Sequence, residues 1–306
     1  MQTDNGVFPV IEISGGLGNQ LFQYAFARKL RQDVGIAPVL SLLGYKGSKH
    51  QQRRDVEIRS FLNSEFQYFP GDDIGRGLTS FYENLRVKNA WKANNQLLQT
   101  ISETFPFNAQ NIEKASNGLY KSSLISLHYW EDIFDETITM IDGAIAAKCA
   151  IPDGDLALPN QDVLGIHIRR GDYISNPKTR NFHGFCSEKY YLDATEIMLS
   201  NRANIRNILV FTDDQASCLP IIRRIQEFGL PVRFSQASEP ILGLFEMGLC
   251  GQLIGSNSTY SWWAAHTGIR KVSIFPANWF VGITNYDIEG FFKVEVELLQ
   301  HKLATQ

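Results

Sequence analysis

A chain of 306 residues with 44% apolar and 20% charged side chains has the composition of a soluble globular protein, long enough for one large or two medium domains that bury about three quarters of the unfolded surface. A net charge of −3 gives no electrostatic case for nucleic acid, no apolar run approaches a membrane span, and residues 1–9 lack the basic start and hydrophobic core of a signal peptide, so the expectation is cytoplasmic with no transmembrane segment. Cys149, Cys186, Cys218 and Cys250 lie far apart without Cys-x-x-Cys spacing, and no His-Glu-x-x-His or comparable cluster occurs, so buried reduced thiols and no bound metal are expected.

In chain order, Val10–Ser14 reads as a short strand running into Gly15-Gly-Leu-Gly-Asn-Gln20, and a helix follows from about Gln20 to Val34. Phe22, Phe26, Leu30 and Val34 step by four along it, and Gly35 is a natural terminator. Strand, glycine turn and helix make up the grammar of a nucleotide site: glycines admit a ligand to the backbone, and a helix N-terminus offers amide donors. Gly16, Gly18 and Asn19 are the candidate donor-binding residues of this turn. A dinucleotide-binding oxidoreductase fits poorly, because Leu21 stands where the fingerprint needs Gly or Ala, and the second strand, Pro38–Leu43, ends without the acid that would hold a ribose. A tight turn with no ligand remains the alternative for this motif.

Residues 44–118 are less regular, with loops around 44–54 and 69–77. Ser126-Leu-His-Tyr-Trp-Glu-Asp132 mixes aromatic and polar groups as sugar-facing surfaces do, which makes Trp130 and Glu131 acceptor-side candidates, although aromatic clusters more often form core. Asp135–Cys149 reads as a helix, and the Pro- and Gly-rich Ile151–Pro159 as a linker, placing the domain division at 155/156. Asp153-Gly-Asp155 has the form of a metal-binding Asp-x-Asp pair, but it lies in this linker and not at a strand end.

The second half alternates regularly. Val163–Ile168 is a buried central strand with Arg169-Arg170-Gly171-Asp172 at its carboxyl end, the edge where ligands bind in open α/β sheets. Adjacent residues of an extended chain point to opposite sides, so one arginine faces a ligand and the other braces it; the pair suits phosphate, to which Arg binds bidentately. A loop carrying His183-Gly-Phe-Cys186, a helix over about 187–202, and the strand Asn207–Thr212 ending in Asp213 and Asp214 follow. A helix to Phe228, strand 231–235, helix 241–250, strand 253–256, helix 260–267 and strand 271–275 complete the half, and such repeats imply a parallel, doubly wound sheet. Asp213 or Asp214 reads equally as a donor contact, an arginine brace or a helix N-cap. Asn257, Ser258 and Thr259, after a strand and opening a helix, make a second anion site or a plain cap.

Six segments in order, Gly15–Ala25, Tyr129-Trp-Glu131, His167-Ile-Arg-Arg-Gly-Asp-Tyr173, His183-Gly-Phe-Cys186, Phe211-Thr-Asp-Asp214 and Asn257-Ser-Thr-Tyr-Ser-Trp-Trp263, resemble the α-1,2-fucosyltransferases of glycosyltransferase family 11, mostly bacterial enzymes of surface-polysaccharide synthesis. The resemblance implies a GT-B architecture, that is, two Rossmann-like doubly wound α/β domains facing a cleft, with 1–155 on the acceptor side and 156–306 binding GDP-fucose. It also implies inverting transfer of fucose from GDP-β-L-fucose to O2 of a terminal β-galactose, no metal, and a cytoplasmic location, free or peripheral at the inner membrane, with the acceptor free or lipid-linked. The chain departs from the pattern at Gly243, where an acid is expected.

A departing GDP gains charge on its β-phosphate, so a metal-free site needs fixed cations and amides there, a role for Arg169 or Arg170. His167, on the strand before them, resembles the family's donor-contacting position, and as a lone His on a strand it reads equally as a satisfied core residue. Asn257, Ser258 and Thr259 would hold phosphate oxygens. For the base that takes the acceptor proton, Asp172, Glu131 and His183 are candidates in that order, with Asp172 reading alternatively as only an anchor for Arg169 or Arg170. Two other readings stay open: a transferase of the same architecture with another nucleotide sugar, and a silent nucleotide-sugar or glycan-binding protein.

Overall fold

The computed structural model describes residues 10–35, 37–42, 56–62, 65–69, 119–120, 127–149, 161–201, 204–269, 271–282, 292–293 and 295–305. Two compact units divide the chain, Met1–Thr137 and Ile138–Gln306. The linker Ile151–Pro159, its Asp153 and Asp155, the division expected at 155/156 and the whole stretch from 70 to 118 lie outside the described residues.

In the first unit, the described strands β1 (Val10–Glu12), β2 (Val39–Ser41), β3 (Gln67–Phe69) and β4 (Leu119–Tyr120) form a parallel sheet in the order β3-β2-β1-β4. Helix α1 (Leu17–Val34) buries Leu21, Phe22, Ala25, Phe26 and Leu30, and ends where Gly35, at φ 71°, turns its N–H to the Arg31 carbonyl. It starts three residues earlier than the pattern suggests. Burial of Leu17 and the anchoring of Gln20, described below, override the weak helix propensity of Gly18. Trp130 is fully buried, packing edge-on against Phe22 at 6.0 Å and stacked on Phe134 at 5.6 Å. The acceptor-side expectation for Trp130 is therefore corrected: its ring is core.

Helix α2 (Phe134–Cys149) begins in the first unit and continues in the second. There β5 (Val163–Ile168), β6 (Asn207–Thr212), β7 (Val232–Phe234), β8 (Gln252–Ile254), β9 (Val272–Pro276) and β10 (Val296–Leu299) form a parallel sheet in the order β10-β9-β8-β5-β6-β7. Every residue of β5 is buried, as a central strand covered on both faces demands. The chain runs outward from β5 through β6 and β7, then returns to β8 on the other side. The switch point of this doubly wound sheet therefore lies at the carboxyl ends of β5 and β8.

Helices α3 (Gly171–Ser175) and α4 (Pro177–His183) occupy what the sequence suggests is a loop. Asn176 caps α4 by accepting from Lys178 N and Thr179 N, Pro177 takes the first helical position, and Gly184, at φ 61°, ends it. Helices α5 (Glu188–Asn201), α6 (Gln215–Gln226), α7 (Pro240–Leu249) and α8 (Thr259–His266) cover the sheet. The four cysteines are free and buried, as expected. No described helix is long and apolar enough to cross a membrane.

Two histidines are built into this unit uncharged. His266 donates from Nδ1 to the Trp262 carbonyl at 2.8 Å and accepts the Lys293 N–H on Nε2 at 3.2 Å, a pairing that needs the neutral ring. Burial pushes both His266 and His167 down to about 3. An unfolded chain binds protons at histidine below about 6.5 while the folded chain does not, so stability falls as pH drops from 6.5 towards 3. Urea midpoints measured from pH 7 to 4 are expected to decline, and His266→Gln to flatten that decline; midpoints unchanged over this range would contradict the burial of these rings as neutral species.

Candidate active site

At the carboxyl end of β5 the chain leaves the sheet as Arg169-Arg170 and enters α3. Arg169 makes ion pairs with Asp172 and, at 2.6 Å, with Asp213, while its guanidinium lies 5.1 Å over the Tyr173 ring. Burial works against its charge, but the two carboxylates outweigh burial and raise its pKa. Asp213 also accepts the Arg170 N–H at 2.8 Å. Gly171 makes this possible, because a Cβ there would overlap the Asp213 carboxylate.

Arg170 points the other way, as strand alternation requires. It is 4% exposed, sits over Phe185 at 5.1 Å and Tyr191 at 5.7 Å, and donates to the Arg169 carbonyl at 3.0 Å. Of the two arginines expected to share the role, Arg169 is the partly open one and Arg170 is the brace. The pair Asp213 and Asp214 divides as well. Asp213 orients Arg169, while Asp214 accepts from Ser217 N and Ser217 Oγ and so caps α6; those bonds lower its pKa.

Across the switch point, His167 Nδ1 shares a hydrogen bond with Ser256 Oγ at 2.9 Å, and its ring lies 5.5 Å from Tyr260. His167 is thus a satisfied, buried residue that ties β5 to the end of β8. The side chain of Asn257, expected on phosphate, is turned inward: Nδ2 donates to the His183 and Trp279 carbonyls, and Oδ1 takes the Cys186 thiol at 3.7 Å. Ser258 caps α8 through its hydroxyl, which accepts the Tyr260 N–H. The two corrections have different causes: Ser258 satisfies the turn's own backbone, whereas Asn257 ties the turn to carbonyls of two other segments. Thr259 opens α8 as a half-buried residue.

Gly243 in α7 has a structural reason. A Cβ there would meet the Tyr260 hydroxyl at 2.7 Å, and that hydroxyl donates to the Pro240 carbonyl. The acid of this helix is Glu246, which is 8% exposed and accepts from Ser235 Oγ.

His183 stacks on Tyr173 at 5.0 Å, and Tyr173 donates its hydroxyl to the Asn257 carbonyl. Burial pushes His183 down to about 4, Asp172 opposing and Arg169 adding to the shift. In the first unit, Gly15 at φ 77° turns the chain and Gly16 precedes α1 in extended form, with Gly18 in the helix and Asn19 packed beneath Gly15. Two buried carboxamides hold this turn. Gln20 donates to the Gly15 carbonyl and accepts the Ile58 N–H, while Gln23 accepts the Ser14 N–H and donates to Ser14 Oγ. Glu131 is exposed at the start of a short 3-10 turn.

The arrangement in the second unit can do one thing well: present a permanently charged, planar donor, gripped at its edges and face, at the switch point of a parallel sheet. No group of three or more His, Cys, Asp or Glu among the described residues gathers to hold a metal. Residues 10–282 match the family described as Glycosyl transferase family 11. An α-1,2-colitosyltransferase of Escherichia coli is 28% identical over 290 residues, covering 89% of this chain and 92% of that protein. The O-antigen biosynthesis glycosyltransferase WbnK of Escherichia coli is 27% identical over 294 residues, covering 88% and 94%. Among solved structures, POFUT1 in complex with GDP shares 12% identity at a TM-score of 0.49, covering 89% of this chain and 99% of that one. Since the family match spans residues 10–282, from β1 through β9, it covers most of the chain, and the chain belongs to glycosyltransferase family 11.

Proposed function

We propose that the protein transfers L-fucose from GDP-β-L-fucose to O2 of a terminal β-galactose, with inversion and without a metal, on a surface glycan that is free or lipid-linked. The carrying observation is Arg169, held charged by Asp172 and Asp213 over Tyr173 at the sheet's switch point. As GDP leaves, negative charge grows on the β-phosphate, and a fixed guanidinium stabilises that charge without reorganising during the step. Arg169 takes the place that a metal fills in other transferases. Asp172 and Asp213 are engaged by the arginine, which makes them orienting carboxylates; a loose, oxocarbenium-like transition state asks little of a base.

A second reading has a specific motive, because the similar Escherichia coli protein is an α-1,2-colitosyltransferase. Colitose is fucose without its 3-hydroxyl, so the same phosphate chemistry serves either donor. The test is GDP release from GDP-fucose and, in parallel, GDP-colitose, with lactose as acceptor in excess EDTA and the product linkage read by NMR. Release from GDP-fucose with an α-1,2-linked fucoside is expected. Preference for GDP-colitose would install the second reading, activity that only magnesium restores would remove metal independence, and GDP binding without release would leave a silent binder.

A further inference from the structure

Phe182 is 48% exposed, one of three large hydrophobic side chains so exposed among the described residues. The other two, Leu219 and Phe228, lie in α6 and just beyond it, whereas Phe182 adjoins the arginine site. The Arg169 guanidinium lies over Tyr173, Tyr173 stacks nearly parallel on His183 at 16°, and Phe182 meets His183 edge-on at 4.8 Å. Phe182 is also held in place. Its carbonyl accepts the Val281 N–H at 2.9 Å, and its ring leans on Phe280 at 5.1 Å. A half-open ring fixed before any ligand arrives loses little entropy on binding, and its electron-rich face suits the C–H face of a pyranose.

His183 adds a polar group. Its Nδ1 is buried with no hydrogen-bond partner among the described residues. Placing the proton on Nε2 avoids burying an unpaired N–H at Nδ1, and in that tautomer the half-buried ring offers a donor. Burial keeps the imidazole neutral, and with Nε2 already protonated His183 is placed to donate and not to act as the base.

We propose that Phe182 and His183 form a subsite for the glycan acceptor: the apolar face of a pyranose lies on the Phe182 ring, and one of its hydroxyls accepts from His183 Nε2. The inference rests on the reading of the protein as a transferase to glycans. The Tyr173 and His183 rings stand between Phe182 and Arg169, so the sugar held here is the residue next to the attacked one.

The test compares binding of methyl β-galactoside and lactose to the GDP-saturated full chain by NMR titration. Wild type is expected to bind lactose about fivefold more tightly, Phe182→Ala to lose that difference, and Phe182→Trp to keep it, with GDP affinity the same in all three. A Phe182→Ala variant that retains the full difference overturns the platform, as does a wild type that shows none. If wild type binds neither galactoside but still binds GDP, the acceptor assignment of the proposed function falls with the subsite while the donor assignment stands.

Discussion

Arg169→Ala is expected to lower turnover by about 10² to 10³ while the protein stays folded, the loss found when a preorganised donor to a developing charge is removed. The side chain is partly open and its ion pairs are local, to Asp172 in the next turn and Asp213 at the end of β6, so little packing beyond its contact with Tyr173 goes with it. Arg169→Lys is expected to recover little. One ammonium cannot span two carboxylates and also lie flat over Tyr173, whereas a planar guanidinium does both. Arg170→Ala should behave differently. Its guanidinium fills the space between Phe185 and Tyr191 at 4% exposure, so its loss should appear as about 3 kcal/mol of stability, with a smaller direct effect on the chemical step. Paired kcat and urea-unfolding measurements separate the two. Full activity in Arg169→Ala would remove the arginine from the proposed function, and a chemical defect in Arg170→Ala without loss of stability would exchange the two roles.

The sequence reveals most where a single local rule decides the outcome. The apolar run of β5 flanked by helical repeats predicts a central parallel strand, and the switch-point rule then places Arg169 and Arg170 at a ligand edge. Strand alternation already says that only one of the two faces outward; which one depends on Phe185 and Tyr191, whose approach is tertiary. Helices α3 and α4 escape notice because they are short and amphipathicity has no length in which to show, yet Asn176-Pro177 is a helix-start signal that could have found α4. Trp130 illustrates the limit of composition, since a Tyr-Trp-Glu segment looks alike in a core and on a glycan surface until Phe22 and Phe134 close over it. Gln20 and Gln23 were missed for a related reason. Polar residues on an otherwise apolar helix face suggest a break in the pattern, but here they hydrogen-bond the glycine turn from inside. Gly243 is the reverse case: an apparent departure from the family is complemented by the Tyr260 hydroxyl that fills its space.

Gly171→Ala is expected to reproduce much of the Arg169 defect from a residue that has no side chain of its own to bind substrate. The backbone of Gly171 lies outside the left-handed region, and it opens α3, where alanine would ordinarily be the better helix former. The obstacle is the Asp213 carboxylate, which a new Cβ would overlap. If Asp213 shifts, the Arg170 N–H loses its acceptor and Arg169 loses one of its two anchors. An unsatisfied buried donor costs about 1–3 kcal/mol, and displacing a catalytic group by about 1 Å costs on the order of 10² in rate. Asp213→Ala should give a similar loss, since it removes the same support. The two changes should not add. With Asp213 truncated there is nothing for the new methyl to strike, so Gly171→Ala in that background should be neutral or stabilise by about 0.4–1 kcal/mol. A double-mutant cycle read in both kcat and unfolding free energy therefore predicts a change of sign: Gly171→Ala harms the wild type and spares the Asp213→Ala protein. Additive losses would mean that Gly171 matters for some reason other than room for Asp213, and an unimpaired Gly171→Ala single variant would mean that Asp213 does not hold Arg169 in its working position.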